Sequence, residues 1–282
     1  MDRASRNLRI LFVAVPGAFM AAVMLVPAFG GLVLSFNRCG PSLGNYALLF
    51  ADPMFWRALA NNLVIPAGSL GLELALGLLL ALYLTARPKP PAVVEIAAVL
   101  PFAIPEIVLL TLARYLFMPR GYVNAALVEA GFHPLGWLLP NHALALATVI
   151  TVDAWHVTPV VMLILMGGLQ SIAPEIYEAA ALDGAGTFAT FRHITLPLLF
   201  PSIVAAVVLR GVDALRIFST TLVLTGAEGV PVLSTYAYQQ WTDAQQPRVA
   251  MAASVILALA ITVIGLAAAS AMRRFGAAEA PR

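Results

Sequence analysis

Residues 143–170 read ALALATVITVDAWHVTPVVMLILMGGLQ. The run is longer than the roughly 20 apolar residues that a bilayer-spanning helix needs, and it carries only Asp153 and His156 as ionisable groups. Five more segments of this kind flank it: Ile10–Phe36, Ala60–Thr85 and Val93–Phe117 before it, Leu196–Leu224 and Val249–Met272 after it. Turn chemistry separates them, at residues 37–41 (NRCGP), 87–91 (RPKPP) and 225–229 (TGAEG). The expected fold is all-α, a polytopic membrane protein with six transmembrane helices.

Composition agrees. Of 282 residues, 61% are hydrophobic and 11% charged, against about 25% charged in an ordinary soluble domain. A water-soluble core could not shelter so much apolar surface, so lipid must solvate much of it. The net charge of +2 comes from scattered basic residues, which excludes a nucleic-acid footprint. A lone cysteine, Cys39, rules out an internal disulfide. Arg3, Arg6 and Arg9 precede an apolar run too long for a secretory signal, so the first helix is expected to be retained.

The basic residues also orient the chain. With the N-terminus inside, one side receives Arg3, Arg6, Arg9, Arg87, Lys89, Arg192, Arg273, Arg274 and Arg282, and the other only Arg38, Arg57, Arg120 and Arg248. That bias places both termini in the cytoplasm. The expected organisation is a cytoplasmic N-terminus (1–9), a six-helix domain (10–272) and a cytoplasmic C-terminus (273–282). A cytoplasmic loop at 171–197 then falls between the fourth and fifth spans. In it, Pro174 suits a first helical turn, and Glu175 and Glu178 suit the positive end of the helix dipole. Gly184 and Gly186 break that helix, and Thr187 is expected to cap a second short one carrying Phe188, Phe191 and Arg192.

Glu178-Ala179-Ala180, three residues, Gly184, nine residues and Ile194-Thr195-Leu196-Pro197 together resemble the EAA loop of permeases in binding-protein-dependent ABC importers. Residues 45–50 (NYALLF) and 55–62 (FWRALANN) are similar to the entry to the second span of sugar permeases. Residues 222–226 (LVLTG) and 236–238 (YAY) resemble the maltose-type first permease, although the glycine-glycine-proline run usual there is replaced by Gly226-Ala227-Glu228-Gly229. The resemblance implies that Glu178, Ala179, Ala180, Asp183, Gly184, Phe188, Phe191 and Arg192 dock on a cytoplasmic P-loop ATPase dimer. It further implies a second homologous permease as heterodimer partner, an extracytoplasmic solute-binding protein and a bacterial inner-membrane location. The expected cargo is a neutral mono- or oligosaccharide, trehalose or maltose-like, with a glycerol phosphodiester as the alternative. No cofactor is expected in this subunit, because the sole lysine, Lys89, sits between prolines and no phosphate-binding loop is present; ATP and Mg would belong to the partner ATPase.

Ionisable residues inside spans are costly and are functional candidates by default. Arg210, Asp213 and Arg216 share a helical face with alternating sign, and Asp153, Trp155 and His156 fall at a similar depth in the fourth span. These six form the candidate substrate pathway, with pairing of Asp213 to both arginines as the structural alternative. Glu73 and Glu106 are expected to bond neighbouring helices, Glu95 and Arg114 to snorkel to water, and Trp56, Trp137 and Trp241 to anchor or pack near the outer face. His133, His142 and His193 lack metal-ligand spacing, so no metal is expected. A proton-coupled secondary transporter using Asp153, Asp213 or Glu106 is the rival function, but it leaves the docking loop idle. No nucleophile-and-base motif supports an enzyme.

Overall fold

The structure is a computed structural model that describes residues 3–36, 42–86, 90–140 and 143–278, with side chains from 12 to 270 within those bounds. The expectations for Cys39, Arg38, Arg87, Lys89, His142 and the basic residues near both termini lie outside the described residues or side chains. Among the described residues every regular element is helical. α1 (Arg3–Phe36), α2 (Gly44–Ala51) and α3 (Pro53–Thr85) come first, then α4 (Ala92–Ala103), α5 (Glu106–Phe117) and α6 (Tyr122–Glu129). α7 (Ala143–Gln170), α8 (Pro174–Leu182), α9 (Thr187–Thr190) and α10 (Leu196–Ala214) follow. α11 (Ser219–Gly229), α12 (Leu233–Thr242) and α13 (Pro247–Ala278) complete the chain.

α3 and α7 form the central pair. α3 starts cleanly because Asp52 accepts the Met54 N–H at 2.8 Å and Pro53 occupies the first turn, where its missing N–H costs nothing. The second Asp52 oxygen accepts the Tyr236 hydroxyl at 2.8 Å, which ties α12 to the head of α3. Burial, with that bond, holds the Tyr236 phenol above its ordinary pKa, so it stays a donor. Three apolar clusters then fill the interior. Ile65, Leu109, Val149 and Leu224 join α3, α5, α7 and α11. Ala81, Met162, Leu165 and Leu199 join α3, α7 and α10. Leu49, Phe55, Tyr236 and Val249 join α2, α3, α12 and α13. The outward faces remain apolar: Phe12, Phe19 and Phe29 on α1 are all exposed, as lipid- or partner-facing side chains must be. α1 itself packs only on α13 and α2 among the elements in close contact.

One expected span is bent at its proline and another ends earlier than expected. Val93–Phe117 is not one straight helix: α4 ends at Ala103, Ile104 and Pro105 are extended, and the chain bends by 102° into Glu106–Glu129. The cause is Pro105, which has no N–H to continue the ladder and drives the residue before it out of the α region. Among the described residues five helices are long and apolar enough to cross a membrane, or six if this bent pair counts as one. The fifth span runs from Thr187 to Ala214 and stops there, not at Leu224. After a tight turn at 215–218, α11 folds back against α5 and α7. Carbonyls stranded by the break find distant partners, with Asn62 donating to Leu215 at 3.1 Å and Ser234 donating to Ile217. Asn62 also accepts the Leu233 N–H at 3.1 Å, and the neighbouring Asn61 donates to Pro231. Arg114 is exposed and also donates to the Val223 carbonyl of α11 at 3.1 Å.

Candidate functional site

Arg210, on the last turns of α10, is the hub of a buried ion cluster. Its Nε lies 2.9 Å from Glu73 Oε2 on α3, Nη2 lies 2.9 Å from Asp153 Oδ2 on α7, and Nη1 lies 2.9 Å from Asp213 Oδ2 one turn along α10. Nε also approaches Glu73 Oε1 at 3.1 Å, so that carboxylate straddles the guanidinium edge. The Glu73 side chain is fully buried, whereas that of Asp213 is 65% exposed. The cluster therefore has a dry end locked between helices and a wet end facing open space. Thr220 of α11 approaches the other Asp153 oxygen at 3.5 Å.

That open space is a cavity of about 700 Å³, within the range of small-molecule sites. Asp153, His156, Arg210, Asp213 and Arg216 all line it, so five of the six expected pathway residues converge. Trp155 does not. It is 48% exposed and lies off the cavity wall, because one residue of helical rotation separates it from His156. Asp213 pairs with Arg210 alone; Arg216 sits beyond the end of α10 and, among the described residues, makes no ion pair. Glu106, the first residue of α5 after the Pro105 bend, lines the cavity and makes no side-chain hydrogen bond among the described residues. Phe102 adds an aromatic wall, its ring 6.2 Å from that of His156. The part played by Glu73 was not legible as more than a helix–helix bond, because its partner lies 137 residues away. Its one signal is that it is the sole charged side chain in the run Ala60–Thr85.

The loop after α7 forms a second feature. α8 ends in a complete Schellman turn: Gly184 N–H bonds Ala181 O at 3.1 Å, Ala185 N–H bonds Ala180 O at 3.0 Å, and Gly184 takes φ +75°. Ala180 is buried against the fold, while Glu178, Ala179, Asp183, Gly184 and Arg192 face out. Leu182 is 90% and Phe188 75% exposed, and Phe191 is half-buried. Thr187 is corrected from a cap to the first helical residue; Gly186 precedes it and no side-chain cap bond forms. The second short helix does not end as a separate piece. It runs through a π-turn at Phe191–Thr195 into α10, with the Leu196 N–H bonding Phe191 O five residues back. The wider turn makes room for Pro197, whose ring would clash with the carbonyl four residues earlier.

The family model for binding-protein-dependent transport system inner membrane components matches residues 73–278. The chain belongs to that family. The permease is 36% identical over 212 residues to the trehalose/maltose transport system permease protein MalF of Thermococcus litoralis, covering 72% of each chain. It is 33% identical over 232 residues to the trehalose transport system permease protein SugA of Mycobacterium tuberculosis, covering 79% of this chain and 74% of that one. The sulfoquinovosyl glycerol transport system permease protein SmoG of Agrobacterium fabrum is 32% identical over 246 residues, 83% of this permease and 79% of the other. Among solved structures, a bacterial ABC transporter involved in import of the acidic polysaccharide alginate shares the fold, with TM-score 0.84 at 24% identity over 96% of each chain. The permease is thus a multi-pass inner-membrane transport subunit, not an enzyme. Among the described residues no group of three His, Cys, Asp or Glu side chains is placed to hold a metal ion.

Proposed function

We propose that this permease carries a sugar across the cytoplasmic membrane as one half of an ABC importer's translocation pathway. The cavity beside Arg210 is its solute-facing wall, and the exposed loop from Glu178 to Arg192 is its ATPase dock. The observation that carries this reading is the pairing of the two features on one helix run, Thr187–Ala214. Apolar Leu182 and Phe188 stand exposed beside acidic Glu178 and Asp183 at one end, a surface suited to a groove with a basic rim. Carboxylates, guanidinium groups and aromatic rings surround open space near the other. Such a wall suits a pyranose, which offers hydroxyl donors at its edge and apolar C–H groups on its face.

The partners that go with this reading are a P-loop ATPase dimer, a second homologous permease in a heterodimer and an extracytoplasmic binding protein. ATP and Mg belong to the ATPase. Both termini lie in the cytoplasm, as the arginine bias requires, with 1–9 and 273–282 flanking the membrane domain and the loop at 171–197 facing the ATPase. Named relatives transport trehalose and maltose, which supports a neutral saccharide. A proton-coupled carrier would have no use for an exposed Schellman-capped loop.

The test is reconstitution of the permease with its ATPase, partner permease and binding protein into vesicles, followed by uptake of labelled trehalose and maltose. ATP-dependent accumulation that vanishes with Glu178→Lys is expected. Uptake driven by a proton gradient without ATP would overturn the assignment.

A further inference from the structure

We propose that the cavity beside Arg210 selects uncharged polyhydroxylated solutes over anionic ones, with Asp213 and Glu106 accepting solute hydroxyls and Arg210 acting only as a positioning residue. The inference rests on the sugar-importer reading above and names the charge class of its cargo. Three carboxylates line the wall, Glu106, Asp153 and Asp213, against two guanidinium groups, Arg210 and Arg216. A fourth carboxylate, Glu73, lies directly behind Arg210. Both formal charge and reach therefore disfavour an anion.

Arg210 would be the natural anion clamp, but all three of its nitrogens already face carboxylate oxygens at 2.9 Å. An incoming phosphate or carboxylate could reach only the remaining Nη protons, and there it would lie against carboxylates already in place. Of the two arginines on the cavity wall, Arg216 makes no ion pair among the described residues, and it shares the space with exposed Glu106 and Asp213. Those carboxylates can only accept hydrogen bonds while ionised, so the ligand that suits them brings donors. Asp213 is well placed for this: Arg210 fixes its Oδ2, and its side chain stands 65% exposed with Oδ1 in no hydrogen bond among the described residues. Phe102 and the His156 ring supply flat surface for the apolar face of a sugar. The cargoes named for relatives do not decide the matter, because they include sulfoquinovosyl glycerol, which carries a sulfonate, as well as trehalose.

The test uses the purified complex of this permease with its partner permease and ATPase, without the binding protein, so that the binding protein's own selectivity is absent. Equilibrium binding is measured for trehalose and maltose as neutral probes, and for trehalose 6-phosphate and glycerol 3-phosphate as anionic ones. The anions should bind on the order of 10- to 100-fold more weakly, the scale of a like-charge mismatch in a partly desolvated site. Asp213→Asn with Glu106→Gln should narrow that gap by strengthening anion binding. Arg216→Gln should widen it, which keeps the proposal testable if the double variant fails to fold. Equal or tighter anion binding by the parent complex, or a gap that no variant moves, would overturn the inference and leave the importer reading intact. Binding of none of the four probes by a complex that still hydrolyses ATP would overturn the sugar reading and the inference with it.

Discussion

Arg210 holds one positive charge among three acids, two of them on other helices, so its removal strands charge where solvent cannot reach. Arg210→Leu is expected to destabilise the fold by about 3–5 kcal/mol, the cost of breaking a buried ion pair from one side. Arg210→Leu with Glu73→Leu should recover part of that loss, and thermal unfolding in detergent would measure both. Parent-like stability in the single variant would mean that the cluster contributes nothing. Asn62 makes a parallel case with neutral groups. Asn62→Leu strands the Leu215 carbonyl and the Leu233 N–H together, at about 1–3 kcal/mol each, and should appear as a lower melting temperature and faster proteolysis between α10 and α12. The sequence identified Arg210, Asp213 and Asp153 from charge inside apolar runs. It could not pair them with Glu73, nor give Asn62 its task, because those partners are brought together only by helix packing across more than a hundred residues.

The helices show where periodicity succeeds and where it stops. Hydrophobic runs located α1, α3, α7 and α13 to within seven residues at either end, since a bilayer demands long unbroken apolar stretches. They failed at the third and fifth spans, where hydrophobicity continues but the backbone does not. Pro105 breaks the first, and the turn at 215–218 ends the second because side chains elsewhere satisfy its carbonyls. At the loop, Gly184→Pro is expected to unmake the Schellman turn, since proline holds φ near −65° where the chain needs +75°. ATPase copurification should drop while membrane insertion persists; full copurification would detach the turn from docking. Between spans, a Cβ on Gly168 would sit 2.2 Å from Ser202 Oγ and 2.8 Å from Leu199. Gly168→Val should therefore wedge α7 from α10 and cost roughly 1–3 kcal/mol, the usual range for overpacking, read again as a melting shift. No shift would show that the crossing tolerates a wider gap.

For the molecule as a whole, an affinity pull-down from native membranes should recover a P-loop ATPase and a second permease, and a binding protein with them would narrow the cargo. Recovery of the chain alone, under conditions that preserve other such complexes, would argue against the importer assembly. The loop motif made this class legible from residues 178–197, because docking requires a fixed local pattern, whereas cavity shape needed the fold. One feature ties the two ends together. From Thr187 through the π-turn to Arg210 the helix is unbroken, about 35 Å of rise at 1.5 Å per residue. If the loop docks as proposed, this helix is a crank with its handle in the ATPase and its far end in the cavity wall. A tilt of only about 5° at the handle would sweep the level of Arg210 through roughly 3 Å, comparable to the length of the ion pairs that anchor it. A pull that small at the dock is enough to choose between keeping Arg210 against Glu73 and Asp153 on the neighbouring helices and letting them part, while Asp213 travels with it.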